Sequence, residues 1–197
     1  MFVGLFGGTF DPIHNGHIEA ANSAHLILKL DRVIMVPAGD PYLKRTKLVA
    51  SPKERYRMVS LAIQKIPSLE VSDIEIFRSG PSYTIDTVRE LKREGHEVIV
   101  LLGTDSIIEM DNWQDPDLLH SECEVVGLTR PGFQIDKSKS YLSRQRKYSL
   151  RTIEVNSPEI SSTRVRNLIQ DGVGVADLIP QEVNEYIKKE KLYHSLA

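Results

Sequence analysis

Gly7-Gly8-Thr9-Phe10-Asp11-Pro12-Ile13-His14-Asn15-Gly16-His17 decides how the rest of this 197-residue chain is read. Residues 2–6, just ahead of it, form a short apolar run that ends on the paired glycines, the pattern of a buried strand. Pro12 breaks the chain, and the spacing predicts a helix over 15–30 whose apolar side includes Ile18, Ala21, Leu26 and Leu30. Gly7 and Gly8 carry no side-chain bulk where the strand turns toward the helix, so a phosphate can approach the backbone amides. His14 and His17 lie three apart at the helix entry. Both imidazoles can face one side there, beside the partial positive charge of the helix N-terminus. Two ring donors with free amides describe a compact anion site. The bland alternative is a glycine turn with incidental surface histidines. A bare Gly-Gly or a lone His would merit it, but the joint pattern is far more restrictive. The stretch is not the GxGxxG dinucleotide pattern and no Walker-type GK[ST] occurs, which disfavours a hydride-transfer enzyme or a P-loop ATPase.

Working outward, strands are predicted over 32–36, 69–71, 74–77, 97–102, 123–129 and 152–155, and helices over 52–66, 82–94, 116–121, 162–170 and 181–189. Ser51 caps the helix that Pro52 opens, and Gly95 closes the helix before it. Residues 40–51 are a polar loop rich in Lys and Arg, and 133–147 are weakly patterned. Strands alternating with helices indicate right-handed βαβ units. The expected fold is α/β: a Rossmann-like doubly wound parallel sheet with a small helical part at about 157–197, all in one domain. In such sheets ligands gather at the carboxyl ends of the strands. The loops 7–17, 37–47, 103–105 and 130–132 all follow predicted strands, so they should open on one rim.

Composition narrows the function classes. Hydrophobic content of 41% and charged content of 26% are ordinary for a globular protein. A formal net charge of -2 without a basic stripe argues against nucleic acid, so phosphate affinity must be local. The single cysteine, Cys123, has no internal disulfide partner and is expected as a buried reduced thiol. The apolar start lacks the basic flank of a secretory leader, and runs such as 98–102 are far too short to span a bilayer. No membrane association and a cytoplasmic location are expected. The sequence leaves a monomer and a homo-oligomer both open.

Near the other end, Glu159-Ile160-Ser161-Ser162-Thr163-Arg164-Val165-Arg166 opens a second helix. Hydroxyls and unpaired amides at a helix start, with a guanidinium as counter-charge, form a second anion site. Taken alone, a well-capped helix with solvated arginines is the better reading. Arg164 and Arg166 lie about 200° apart on a helix, so they should not serve one ligand equally.

The first stretch resembles the signature of the HxGH nucleotidylyltransferases, relatives of the class I aminoacyl-tRNA synthetases, and the second resembles their ISSTxxR element. The resemblance implies that His14, His17 and Arg166 act on the phosphates of ATP as its α-phosphorus is attacked. It also implies that Gly7, Gly8, Thr9, Phe10, Ser161, Ser162 and Thr163 help bind ATP, and that Arg164 is solvated. Between the motifs, Gly80-Pro81-Ser82-Tyr83-Thr84, Gly103-Thr104-Asp105, Trp113 and Arg130-Pro131-Gly132-Phe133 follow in order. That order is similar to the bacterial nicotinate-nucleotide adenylyltransferase branch. By this likeness Gly103 and Asp105 meet ATP, with Asp105 on ribose hydroxyls. Trp113 stacks on the pyridine ring, the backbone at Tyr83 and Thr84 meets the nicotinate carboxylate, and Arg130 holds the mononucleotide phosphate. Without the likeness, Trp113 reads as a core or lid aromatic and Asp105 as a helix cap.

The implied partners are therefore ATP and nicotinate mononucleotide, and the implied cofactor is Mg²⁺, held mostly by ATP oxygens and water. No dedicated protein metal site is expected, and the His pair is too isolated for zinc. Many members of that branch carry Pro-Pro-His-Lys after the second strand, whereas this chain has Asp40-Pro41-Tyr42-Leu43-Lys44. Lys44 keeps a basic role on the triphosphate by this match, and the departure puts the pocket shape in question. The rival enzyme reading is a pantetheine-phosphate adenylyltransferase, which shares both phosphate motifs but fits the Tyr83 and Trp113 region poorly. A non-catalytic nucleotide sensor is the rival from another class.

Overall fold

One sheet in the order β3-β2-β1-β4-β5-β6, with every neighbouring pair parallel, organises the molecule. The strands are β1 (Phe2–Gly8), β2 (Arg32–Pro37), β3 (Leu69–Val71), β4 (Glu97–Gly103), β5 (Glu124–Thr129) and β6 (Arg151–Glu154). The helices are α1 (Asn15–Leu28), α2 (Pro52–Ile63), α3 (Thr84–Arg93), α4 (Thr104–Glu109), α5 (Pro116–Glu122), α6 (Ser162–Gln170) and α7 (Gln181–Lys189). The computed structural model describes residues 1–43, 49–132 and 150–194, with the backbone alone at 105, 108 and 111. Lys44 lies outside the described residues, as do Arg45, Lys47 and Phe133.

The central strands are apolar almost throughout because both faces of the sheet are covered. One core joins Ala21 and Leu28 of α1, Met58 and Val59 of α2, Val165 of α6 and Val183 of α7 to one face. The other core joins Val88 of α3, Ile107 of α4 and Leu119 of α5 to the opposite face. This is the doubly wound Rossmann-like arrangement, and its switch point lies between β1 and β4.

The ladder geometry opens a crevice at that switch point. Toward β2, β1 stays paired up to Gly8 and Pro37. Toward β4, the pairing runs only from Phe2–Glu97 to Leu5–Val100. Beyond those residues β4 follows β5, up to Gly103 and Leu128. The two strands therefore part over their last residues, and their carboxyl ends stand open to a ligand.

Several local expectations needed correction. Helix α1 stops at Leu28 rather than Leu30, because Lys29 is left-handed at φ 52° and Leu30 N–H turns back to His25 C=O. Leu26 is 67% exposed, and the buried stripe runs through Ile18, Ala21, Ala24 and Leu28 at helical spacing. The segment 74–77 is a turn, not a strand. Ile76 N–H bonds Asp73 C=O, Phe77 is exposed, and the buried Glu75 carboxylate accepts the Thr87 hydroxyl at 2.6 Å. Helix α4 is capped by Gly103, with Asp105 inside its first turn rather than at the cap, and the 3-10 turn Met110–Asn112 after it was not anticipated. Cys123 caps α5 one residue before its strand begins. It is half-buried, and burial pushes its thiol up to about 12, so it is protonated and unreactive at neutral pH.

Candidate active site

A cleft of about 710 Å³ occupies the switch-point crevice, and both sequence motifs line it. Gly7, Gly8, Thr9 and Phe10 line it from the end of β1, and His14 and His17 from the start of α1. Ser161, Ser162, Thr163 and Arg166 reach it from α6, Gly103 and Thr104 from the end of β4, and Arg130 from just past β5.

Backbone carbonyls of the first motif join the two distant stretches. The Arg166 guanidinium donates to Asp11 C=O at 2.7 Å and to Thr163 Oγ1 at 3.2 Å. Ser162 Oγ donates to Pro12 C=O at 2.9 Å, and Ser157 Oγ donates to Gly16 C=O at 2.8 Å. Ser161 caps α6 by accepting the Arg164 N–H, while the Arg164 side chain is exposed, as expected. Gly16 has a steric reason to lie between the histidines. A Cβ there would press on the His14 ring and on Pro158 C=O, each at 3.1 Å.

His14 and His17 stack with ring centroids 3.6 Å apart and planes 20° from parallel. His17 Nδ1 accepts the His14 backbone N–H at 3.3 Å, which puts the proton of a neutral His17 on Nε2. His14 is 5% exposed, and its Nδ1 is buried without a hydrogen-bond partner. Burial first, and the Arg130 charge second, lower its pKa to about 4. With its pKa that far below 7, His14 is neutral at pH 7. Arg130 and Arg166 bring guanidinium charges to the described cleft. His14 contributes a neutral ring.

Phe10 lines the cleft, but its side chain is 1% exposed. Its ring packs edge-on against His17 at 5.0 Å and lies where a Cβ on Gly8 would collide. Its ring props His17. Asp105 lies in the first turn of α4. Tyr83, at the N-cap of α3, Thr84 behind it and Trp113 stand outside the cleft lining. Tyr83 and Trp113 are half-buried against the second core, on the other face of the sheet.

Sequence reading missed three residues that hold the site. Asp11 is buried, and its carboxylate accepts the amides of Val49 and Ala50 at 2.9 and 3.1 Å. It also accepts the Tyr193 hydroxyl at 2.7 Å, across 182 residues. Arg55 is wholly buried and donates to Thr9 C=O at 2.8 Å, with longer bonds to Ala50 and Gly39 C=O. Burial lowers the Arg55 pKa, while Asp11, Tyr193 and Glu75 raise it. The guanidinium remains charged in this surrounding. Ser106, Glu109, Ser157 and Glu159 also line the cleft, and Glu159 approaches Arg130 at 3.7 Å. Among the described residues no His, Cys, Asp and Glu side chains cluster as a metal site. The cleft's N–H donors suit phosphate oxygens, and a metal carried on those oxygens fits this lining.

The cytidylyltransferase-like family pattern matches residues 5–168. A "Probable nicotinate-nucleotide adenylyltransferase" of Moorella thermoacetica is 42% identical, covering 97% of this chain and 91% of that protein. One of Thermoanaerobacter sp. is 40% identical, with 97% and 93% covered. Among solved structures, the nicotinic acid mononucleotide adenylyltransferase of Plasmodium falciparum complexed with NaAD superposes with a TM-score of 0.75 at 21% identity, over 97% of this chain and 96% of that one.

Proposed function

The chain belongs to the cytidylyltransferase-like family, among the nicotinate-nucleotide adenylyltransferases, and we infer from that membership and from the cleft that it transfers the adenylyl group of ATP to nicotinate mononucleotide. The products are nicotinate adenine dinucleotide and pyrophosphate, a step of NAD biosynthesis. The observation that carries the reading is the joining of two motifs about 150 residues apart around one anion cleft, through Arg166 on Asp11 C=O and Ser162 on Pro12 C=O.

The mechanism is in-line displacement. A 5′-phosphate oxygen of the mononucleotide attacks the α-phosphorus, the bond to the bridging oxygen breaks, and that oxygen leaves with pyrophosphate. A phosphate monoester is already anionic, so no strong base is needed. The protein's work is alignment and charge stabilisation. His14 and His17 donate ring N–H groups to phosphate oxygens, and Arg166 neutralises the outer phosphates. The amides at Gly7, Gly8 and Thr9 and the α6 start at Ser161, Ser162 and Thr163 complete the cradle, with Lys44 in the basic role. Arg130, beside His14 in the same cleft, holds the attacking phosphate near the α-phosphorus. Gly103 and Asp105 serve the nucleotide, Trp113 is the pyridine platform, and the backbone at Tyr83 and Thr84 meets the carboxylate. Mg²⁺ on the triphosphate oxygens would supply further neutralisation of the leaving group.

The site belongs to one nucleotidylyltransferase domain with its helical part from about 157, working in the cytoplasm on small molecules. Pyrophosphate release, followed with ATP and Mg²⁺ against nicotinate, nicotinamide and pantetheine phosphates, tests the reading. The nicotinate form is expected to react with the highest kcat/KM. Fastest turnover of phosphopantetheine, or none of any acceptor, overturns it.

A further inference from the structure

Tyr42 belongs to neither phosphate motif, yet it touches the acceptor side of the site at two peptides. Its hydroxyl accepts the Gln114 backbone N–H at 3.0 Å and donates to Asn112 C=O at 3.4 Å. Those peptides bracket Trp113, which ends the 3-10 turn Met110–Asn112. One phenol, some 70 residues away in sequence, therefore spans the turn that presents the indole. The Tyr42 ring also meets the Tyr83 ring edge-on, with centroids 5.1 Å apart and planes at 70°.

The loop that carries Tyr42 is itself fastened. Asp40 N–H bonds Ser82 Oγ at 3.1 Å, and Ser82 N–H bonds Asp40 C=O at 2.9 Å. Gly39 packs directly under Glu75 C=O, where no Cβ would fit. Burial keeps the Tyr42 pKa above the usual tyrosine value, against the opposing pull of the Gln114 bond. The hydroxyl is therefore protonated and able to donate and accept at once.

We propose that Tyr42 is a specificity-determining positioning residue: its hydroxyl pins the Trp113 turn and so fixes the indole for the acceptor's aromatic ring, while leaving ATP recognition alone. This rests on the reading of Trp113 as the pyridine platform. Preorganising that platform reduces the ordering cost paid on binding, so the effect belongs in the acceptor's affinity.

Tyr42→Phe keeps the ring and removes both bonds. It is expected to raise the KM for nicotinate mononucleotide about threefold to tenfold, the scale of one hydrogen bond. kcat, the KM for ATP and the thermal midpoint should stay near wild type. Trp113 is the only tryptophan in the chain, so its fluorescence reports the turn directly. Acrylamide quenching of the ligand-free Tyr42→Phe protein should increase. Unchanged quenching, an unchanged mononucleotide KM, or an equal rise in both KM values would overturn the clamp. Trp113→Phe in the same assay separates the two claims. If it raises only the mononucleotide KM while Tyr42→Phe is inert, the clamp alone fails. If it leaves both KM values unchanged, the platform reading fails and takes the clamp with it.

Discussion

The proposed phosphate and acceptor ends of this site are held by different kinds of contact. At the phosphate end, buried and half-buried groups bond between distant stretches of the chain: Arg166 and Ser162 to carbonyls of the first motif, Tyr193 to Asp11, and Arg55 to Thr9 C=O. At the acceptor end, half-buried aromatics lean on a surface loop through single hydroxyl and backbone bonds. The difference follows from the chemistry. Charge that develops on phosphorus is stabilised only by donors already in place, whereas recognition of an aromatic ring tolerates small adjustments. On the proposed reading the phosphate end is fixed by what every adenylyl transfer needs, and the aromatic region outside the cleft lining is open to tuning by a few side chains.

The largest effect should come from breaking the phosphate end itself. His17→Ala is expected to lower kcat on the order of 100- to 1000-fold in a pyrophosphate-release assay, with the thermal midpoint little changed. Turnover near wild type would remove His17 from the chemistry.

A pH titration probes the same end without mutation. An unfolded His14 titrates near 6.5 and the native one near 4, so between those values the unfolded chain holds the extra proton. Stability contributed by the neutral ring is complete above pH 6.5, is lost as pH falls toward 4, and levels off below, for about 3 kcal/mol in all. Urea unfolding across this window should show that slope, and His14→Asn should flatten it. Bound triphosphate favours the protonated ring, so ATP should reduce the slope as well.

The smallest effect sharpens the contrast in how the ends are anchored. Tyr193→Phe should cost about 1–2 kcal/mol in urea unfolding, the scale of a buried hydroxyl-to-carboxylate bond. It should leave the ratio of KM values for the two substrates unchanged, unlike Tyr42→Phe.

How much of this was legible in the sequence follows from the range of each interaction. The strand, the glycines, the His pair and the first helix are neighbours in the chain, and hydrophobic period and spacing expose them. The helix start at residues 161–163 and the solvated Arg164 are local too, and both were readable. Asp11 and Tyr193 look like a loop carboxylate and a terminal aromatic until the fold brings them together. Arg55 lies in a charged helical run, and only the fold shows it wholly buried with its guanidinium on Thr9 C=O. The neutrality of His14 was illegible for the same reason, since it arises from burial and from Arg130 across the cleft. At 74–77 local apolar alternation was overridden by the buried Glu75 and its Thr87 partner.

The Tyr193–Asp11 bond also bears on how the protein is made. Asp11 leaves the ribosome 182 residues ahead of its hydroxyl partner, so a nascent chain carries the first motif through that stretch of translation with that carboxylate unanswered by Tyr193. The Arg166 bond to the same residue arrives only 155 residues after it. Assembly of the cradle is thereby deferred until Arg166 and Tyr193 have been made, and a fragment ending before Arg166 lacks both contacts.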